Sequence, residues 1–199
     1  TIPGGLLLGA VAKRLYGQQG IDRWRLFHSG EVQFGDALPL EKDGDVLEPI
    51  ALSLHRQKNK KNDVRDFALQ DRERTTQWTQ LRDGFGPLPT TASGETTVHR
   101  VKKRFGLRTA MDNGVAADGQ LFGYEALESG QRFVATVSAQ HDADLTAVLT
   151  ALDDQTLRLG RSRATEYGRV HCRVVAPPPA KSKSVEGLAQ LILRAQSDL

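Results

Sequence analysis

Leu159-Gly160-Arg161-Ser162-Arg163-Ala164-Thr165-Glu166-Tyr167-Gly168-Arg169 is the stretch on which the reading of this chain turns. Two glycines bracket two arginines, two hydroxyl side chains and a tyrosine. Glycine takes positive φ without strain and lets the backbone approach a ligand closely. Arginine forks match phosphate oxygens in pairs, and a tyrosine face can stack on a base. Two readings are open: a tight turn with exposed charge, or an anion-binding loop. A strand is expected from Arg169 to Val175. Ahead of the loop, Asp144 to Leu152 reads as a helix, with Asp144 as its cap and Leu145, Val148, Leu149 and Leu152 on one face.

Working outward, the first segment also reads as a helix. Thr1 is placed to cap, Pro3 suits the first turn, Leu7, Val11 and Leu15 recur on one face, and Gly17 ends it. Gly4 and Gly5 allow either a phosphate at the helix N-terminus or close helix packing. Trp24-Arg25-Leu26-Phe27-His28 and Glu31-Val32-Gln33-Phe34 flank Ser29-Gly30, which predicts a hairpin or kinked strand. Asp36, Asp43 and Asp45 are expected to be solvated turn residues. Pro49 to His55 reads as a strand. Residues 57–95 read as an irregular insertion, with a short helix near Asp71–Gln80. Val98 to Met111 alternates in places, Asp112-Asn113-Gly114 is a turn signal, and Gln120–Leu127 and Gln131–Ala139 read as strands, Phe133 and Val137 sharing one side. Pro177 to Ser184 reads as a linker, and 185–199 as the start of a further segment, leaving 1–176 as one domain.

The order is helix, strands, insertion, hairpin, helix, loop, strand. One strand placed ahead of Thr1 makes this an α+β, ferredoxin-like (RRM-like) βαββαβ fold. The chain lacks an initiator methionine and opens in mid-motif, so a piece of a longer polypeptide is expected.

Of 199 residues, 39% are apolar, enough for a core, and the net charge is only +3. The distribution says more than the sum. Residues 55–65, 99–108 and 158–173 together hold 15 of the 27 Lys and Arg residues but 2 of the 24 acids. Such clustering is either a polyanion footprint or three solvated basic faces. The lone cysteine, Cys172, sits in an apolar strand pattern; no disulfide framework is possible, which fits a reduced, cytoplasmic compartment. The run from Leu6 ends at Lys13 and Arg14, far short of the roughly 20 residues a bilayer needs, so no membrane is expected. One cysteine and scattered histidines make no zinc site, and no metal or cofactor is expected. Among His28, His55, His99, His141 and His171, only His55 and His99 adjoin basic clusters; they are the two candidates for acid–base cleavage of RNA.

Three stretches together resemble the CRISPR-associated RAMP superfamily. They are Ile2-Pro3-Gly4-Gly5-Leu6 with its helix; Leu107-Arg108-Thr109-Ala110-Met111-Asp112 followed by Gly119-Gln120-Leu121-Phe122, Glu125 and Gly130-Gln131-Arg132-Phe133; and Leu159-Gly160-Arg161-Ser162-Arg163 with Tyr167-Gly168. Phe27-His28-Ser29-Gly30 to Pro39, and Pro49 to His55 with Lys58, point within it to type III-D effector subunits. Asn113 stands where the family often has arginine. The resemblance implies a subunit of a multi-protein complex that holds a guide RNA (crRNA) and pairs it with target RNA. The expected contacts are Lys13, Arg14, His55, Arg56, Lys58, Lys60, Lys61, Arg100, Lys102, Lys103, Arg104, Arg108, Gly160, Arg161, Ser162, Arg163, Tyr167 and Gly168. Most would neutralise phosphates, which fixes register without reading sequence. A non-catalytic binder is the reading; an endoribonuclease and a protein-interaction scaffold are the alternatives.

Overall fold

The computed structural model describes residues 1–60, 63–69, 75–86, 93–95, 97–112, 115–160 and 167–176. In chain order the elements begin with α1 (Gly4–Leu15), α2 (Arg23–Phe27), β1 (Val32–Phe34), β2 (Leu38–Leu40), β3 (Glu48–Pro49), β4 (Leu54–Gln57), β5 (Asp63–Asp66), β6 (Trp78–Gln80), β7 (Phe85–Gly86) and β8 (Ser93–Glu95). They continue with β9 (Lys103–Asp112), β10 (Val115–Leu127), β11 (Arg132–Val134), β12 (Val137–Ala139), α3 (Asp142–Leu152), β13 (Gln155–Arg158) and β14 (Arg169–Cys172). The architecture is α+β.

A base is built from both ends of the described chain. α1 and α3 pack on one core made by Ala10, Val11, Leu15, Leu26, Val32, Val148, Leu152 and Leu157. Antiparallel ladders β1–β12 and β13–β14 supply Phe34, Val137, Ala139, Val170 and Cys172 to the same core. Among the described residues the two ladders are not hydrogen-bonded to each other; the expected fold calls for a strand between them. Burial pushes the Cys172 thiol pKa up, as a small, half-buried core residue requires.

Local chemistry explains where the expected elements change. The first helix starts at Gly4, but its cap is Asp36 rather than Thr1: the Gly4 N–H donates to Asp36 Oδ1 at 2.8 Å. That carboxylate occupies the place a bound phosphate would take. A Cβ at Gly4 would overlap the Phe34 carbonyl oxygen, so this glycine serves close packing. Residues 23–27 form a helix and not a strand, because Asp22 Oδ1 accepts from the Arg25 N–H at 3.0 Å and Leu26 is buried beneath. The α3 cap position is His141; Asp144 is instead buried and paired with Arg25.

Elsewhere, the strand expected over 131–139 is two. β11 pairs with β2 and β12 with β1, the chain stepping between them at Ala135-Thr136, where Gly35 N–H donates to the Thr136 carbonyl. Pro49–His55 is likewise broken, into β3 and β4. The region expected to be irregular carries a four-stranded sheet, β6-β4-β5-β8, and residues 78–80 are strand, not helix. The expected turn residues Asn113 and Gly114, the linker and 185–199 lie outside the described residues.

Candidate nucleic-acid interface

β9 and β10 form a long antiparallel hairpin with Phe105 facing Glu125, Gly106 facing Tyr124 and Arg108 facing Phe122. Residues opposite each other share a face, and alternate residues switch faces. One face therefore carries Arg104, Gly106, Phe122 and Tyr124. The other carries Lys103, Phe105, Leu107, Gly123 and Glu125. Both stand in solvent: Phe105 is 65% exposed, and Leu107, Phe122 and Tyr124 are exposed as well. A two-stranded ribbon with aromatic side chains open on both faces has no core of its own to bury them in.

The glycine-bracketed loop is joined to the first of these faces. Tyr167 stacks on Tyr124 with ring centroids 6.1 Å apart and planes 17° from parallel. Gly106 makes the room, since a Cβ there would lie 3.3 Å from the Tyr167 hydroxyl. The neck of the loop is tight. Gly160 and Gly168 both have positive φ, 87° and 73°, and the Leu159 N–H donates to the Gly168 carbonyl at 2.8 Å. Arg158 Nη1 donates to the Tyr167 carbonyl. Arg161, Ser162 and Arg163 lie outside the described residues. Gly168→Ala is expected to open this neck, because the new Cβ would overlap the Leu159 carbonyl oxygen in a left-handed backbone. A loss above the about 1–2 kcal/mol of the left-handed backbone alone is expected, read as a lower urea midpoint, while Gly44→Ala, with open space around it, should suffer that conformational penalty and no more.

The second basic cluster divides by partner. Arg100 forms a two-pronged bond to Asp83, Nη2 to Oδ1 at 2.8 Å, which holds the Asp83 carboxyl below its usual range. Lys103 Nζ meets Glu125. Lys102 and Arg104 have no carboxylate partner among the described residues, which leaves them available to a polyanion. Arg108 sits in the ladder, its side chain outside the described set.

The other expected contacts fall elsewhere. Arg14 holds the fold together: its Nη1 donates to the Ala151 carbonyl at 2.9 Å and its Nη2 to that of Thr156 at 3.2 Å. That places a cation at the C-terminal end of α3, where the helix dipole favours one. Lys13 is exposed on α1. The first cluster belongs to the four-stranded sheet. His55 Nδ1 is 2.9 Å from the Ser53 carbonyl and its ring lies 4.7 Å from Phe67, which meets Trp78 edge-on. The Arg65 guanidinium covers Trp78 at 4.9 Å. Arg56 follows His55 on β4 with its Nε buried, and Lys58 and Lys60 follow in the exposed turn. Lys61 lies outside the described residues.

Of the two histidine candidates, His55 rests on a main-chain carbonyl and His99 Nε2 lies 3.4 Å from Glu41 Oε1. Each has its own neighbour, and no contact joins them into an acid–base pair. Among the described residues no cluster of histidine, cysteine and carboxylate side chains has metal-ligand geometry, and no helix is long and apolar enough to cross a membrane. No known protein family matches this chain, and no curated protein matches it.

The sequence reading singled out the glycine loop and Tyr167 and passed over Tyr124, which Tyr167 meets. The signal was there in retrospect: Phe105, Leu107, Phe122 and Tyr124 alternate about a turn, which is how a ribbon displays apolar side chains.

Proposed function

We propose that this chain is a non-catalytic, crRNA-binding subunit of a CRISPR type III ribonucleoprotein effector complex, a cytoplasmic antiviral assembly with target RNA and other effector subunits as partners. Its domain is a RAMP domain of ferredoxin-like topology, with β1 and β12 as an antiparallel pair and α1 and α3 packed on the core beside it. One observation carries the reading: Tyr167, at the neck of the glycine-bracketed loop, stacks on Tyr124, on the hairpin face that also carries Arg104. Cations beside exposed rings are the elements of single-strand recognition, phosphates going to the former and bases to the latter.

Fluorescence anisotropy of labelled single-stranded RNA tests this across a salt series. Arg104→Ala is expected to weaken binding and flatten the plot of log K against log salt by about 0.7, the value for one phosphate contact on a single strand. Tyr124→Ala is expected to cost about tenfold in affinity with the slope unchanged. RNA cleavage by the purified chain that His55→Ala or His99→Ala abolishes would favour the endoribonuclease instead. No RNA binding at all would favour a protein scaffold.

A further inference from the structure

A second aromatic surface lies where α1 ends and α2 begins. Trp24 is 69% exposed, although it stands two residues from the fully buried Leu26 that anchors α2. Its ring stacks on His28 with centroids 5.7 Å apart and planes at 29°. Tyr16, also exposed, meets His28 edge-on at 6.2 Å, and the Arg23 guanidinium lies 5.5 Å over the Tyr16 ring. Lys13 stands one turn earlier on α1 than Tyr16.

The charge around these rings is one-sided. From Lys13 to Gly30 there are four Lys or Arg residues and one acid, Asp22. Arg14 and Arg25 are held by contacts within the fold. Asp22 is engaged, its Oδ1 accepting from the Arg25 N–H and its Oδ2 lying 3.8 Å from Arg25 Nη1. Lys13 and Arg23 have no carboxylate partner among the described residues. Two near-parallel rings with an open outer face and two uncompensated cations match a planar, anionic ligand. An acidic peptide would satisfy the cations but leave the flat outer face of Trp24 unused.

We propose that this surface is a stacking site for single-stranded nucleic acid: one base continues the Trp24–His28 stack, and the flanking phosphates fall to Arg23 and Lys13. It adds a contact on the helical side of the base and rests on the RNA-binding reading for its ligand class.

The chain carries its own probe. It has two tryptophans, and Trp78 is only 8% exposed beneath Arg65, so ligand quenching of indole emission reports Trp24. Single-stranded oligoadenylate titrated into the full chain is expected to quench that emission. Trp24→Ala is expected to abolish the quench and weaken binding about tenfold by anisotropy, with the circular dichroism spectrum unchanged because so little of the side chain is buried. Oligoadenylate that binds without quenching, or binds Trp24→Ala as tightly, overturns this site while leaving the hairpin interface standing. Failure to bind at all overturns both. Equal quenching by polyglutamate would make the surface an acidic-protein contact and overturn it as a nucleotide site.

Discussion

Gly4→Ala is expected to destabilise the protein by about 3 kcal/mol, lowering the melting midpoint by roughly 10 °C. An added Cβ would overlap the Phe34 carbonyl oxygen and stand 2.9 Å from that of Gly35. Both obstacles are backbone, so no side chain can turn aside. α1 would have to lift from β1, pulling Val11, the most buried residue of its face, off the core. It would also draw the Gly4 N–H away from Asp36. Gly9→Ala, at a helical position with open space, is the control; it should be neutral or raise stability by up to about 1 kcal/mol through helix propensity. Thermal melts of the two variants side by side decide the matter, and equal midpoints would refute the packing role.

The second large effect concerns Arg25 and Asp144. Arg25 grips both carboxylate oxygens, Nη2 to Oδ1 at 2.9 Å, and Asp144 is almost wholly buried while Arg25 is partly in water. The hydrogen bond from Arg25, outweighing burial, holds the Asp144 carboxyl below its usual range. A carboxyl whose pKa is lower folded than unfolded stabilises the protein above the unfolded value, near 4, and that stability drains away as pH falls through the folded value. Asp144→Asn should therefore lose about 2 kcal/mol at neutral pH and melt with less dependence on acid. Arg25→Met should lose more, since it strands a charge in the core. Its pH dependence should also reverse: with the cation gone, burial favours the protonated carboxyl, so lowering the pH from 7 to 5 should partly restore the variant. Melting curves at both pH values read this directly, and parallel losses in the two variants would show that the pair does not anchor α2 to α3.

The readable parts of the sequence were those governed by short-range rules. The spacing of Leu7, Val11 and Leu15 marked α1, that of Val148 and Leu152 marked α3, and the two glycines marked a neck that has positive φ at both ends. Misreadings arose where distant residues supplied the missing partner. Trp24 and Phe27 have strand preference, yet the Asp22 cap and the reach of Arg25 to Asp144 keep that segment helical. Asp144 suits a cap by its position but is claimed by a residue 119 positions away. Composition showed the basic clusters but not their partners. Asp83 and Glu125 answer Arg100 and Lys103, whereas Arg104 has no carboxylate partner among the described residues. The proposed function rests on the resemblance of three motifs to one family, which no periodicity contains, and that resemblance says nothing of Trp24.

The ribbon of 32–40 against 132–139 has a consequence for how this molecule can vary. β1 and β2 leave the base, and β11 and β12 return to it beside them, so everything from Glu41 to Gln131 departs and comes back at one doorway. Arg132 bolts that doorway, its Nη2 donating to the carbonyls of Glu41 and Lys42. Closing a loop grows only slowly more expensive with length, by about 0.6 kcal/mol for each doubling. Apart from the hairpin that meets Tyr167 through Tyr124, the outgrowth can thus lengthen, shorten or be exchanged for another with its foundation kept, giving one scaffold an adjustable reach.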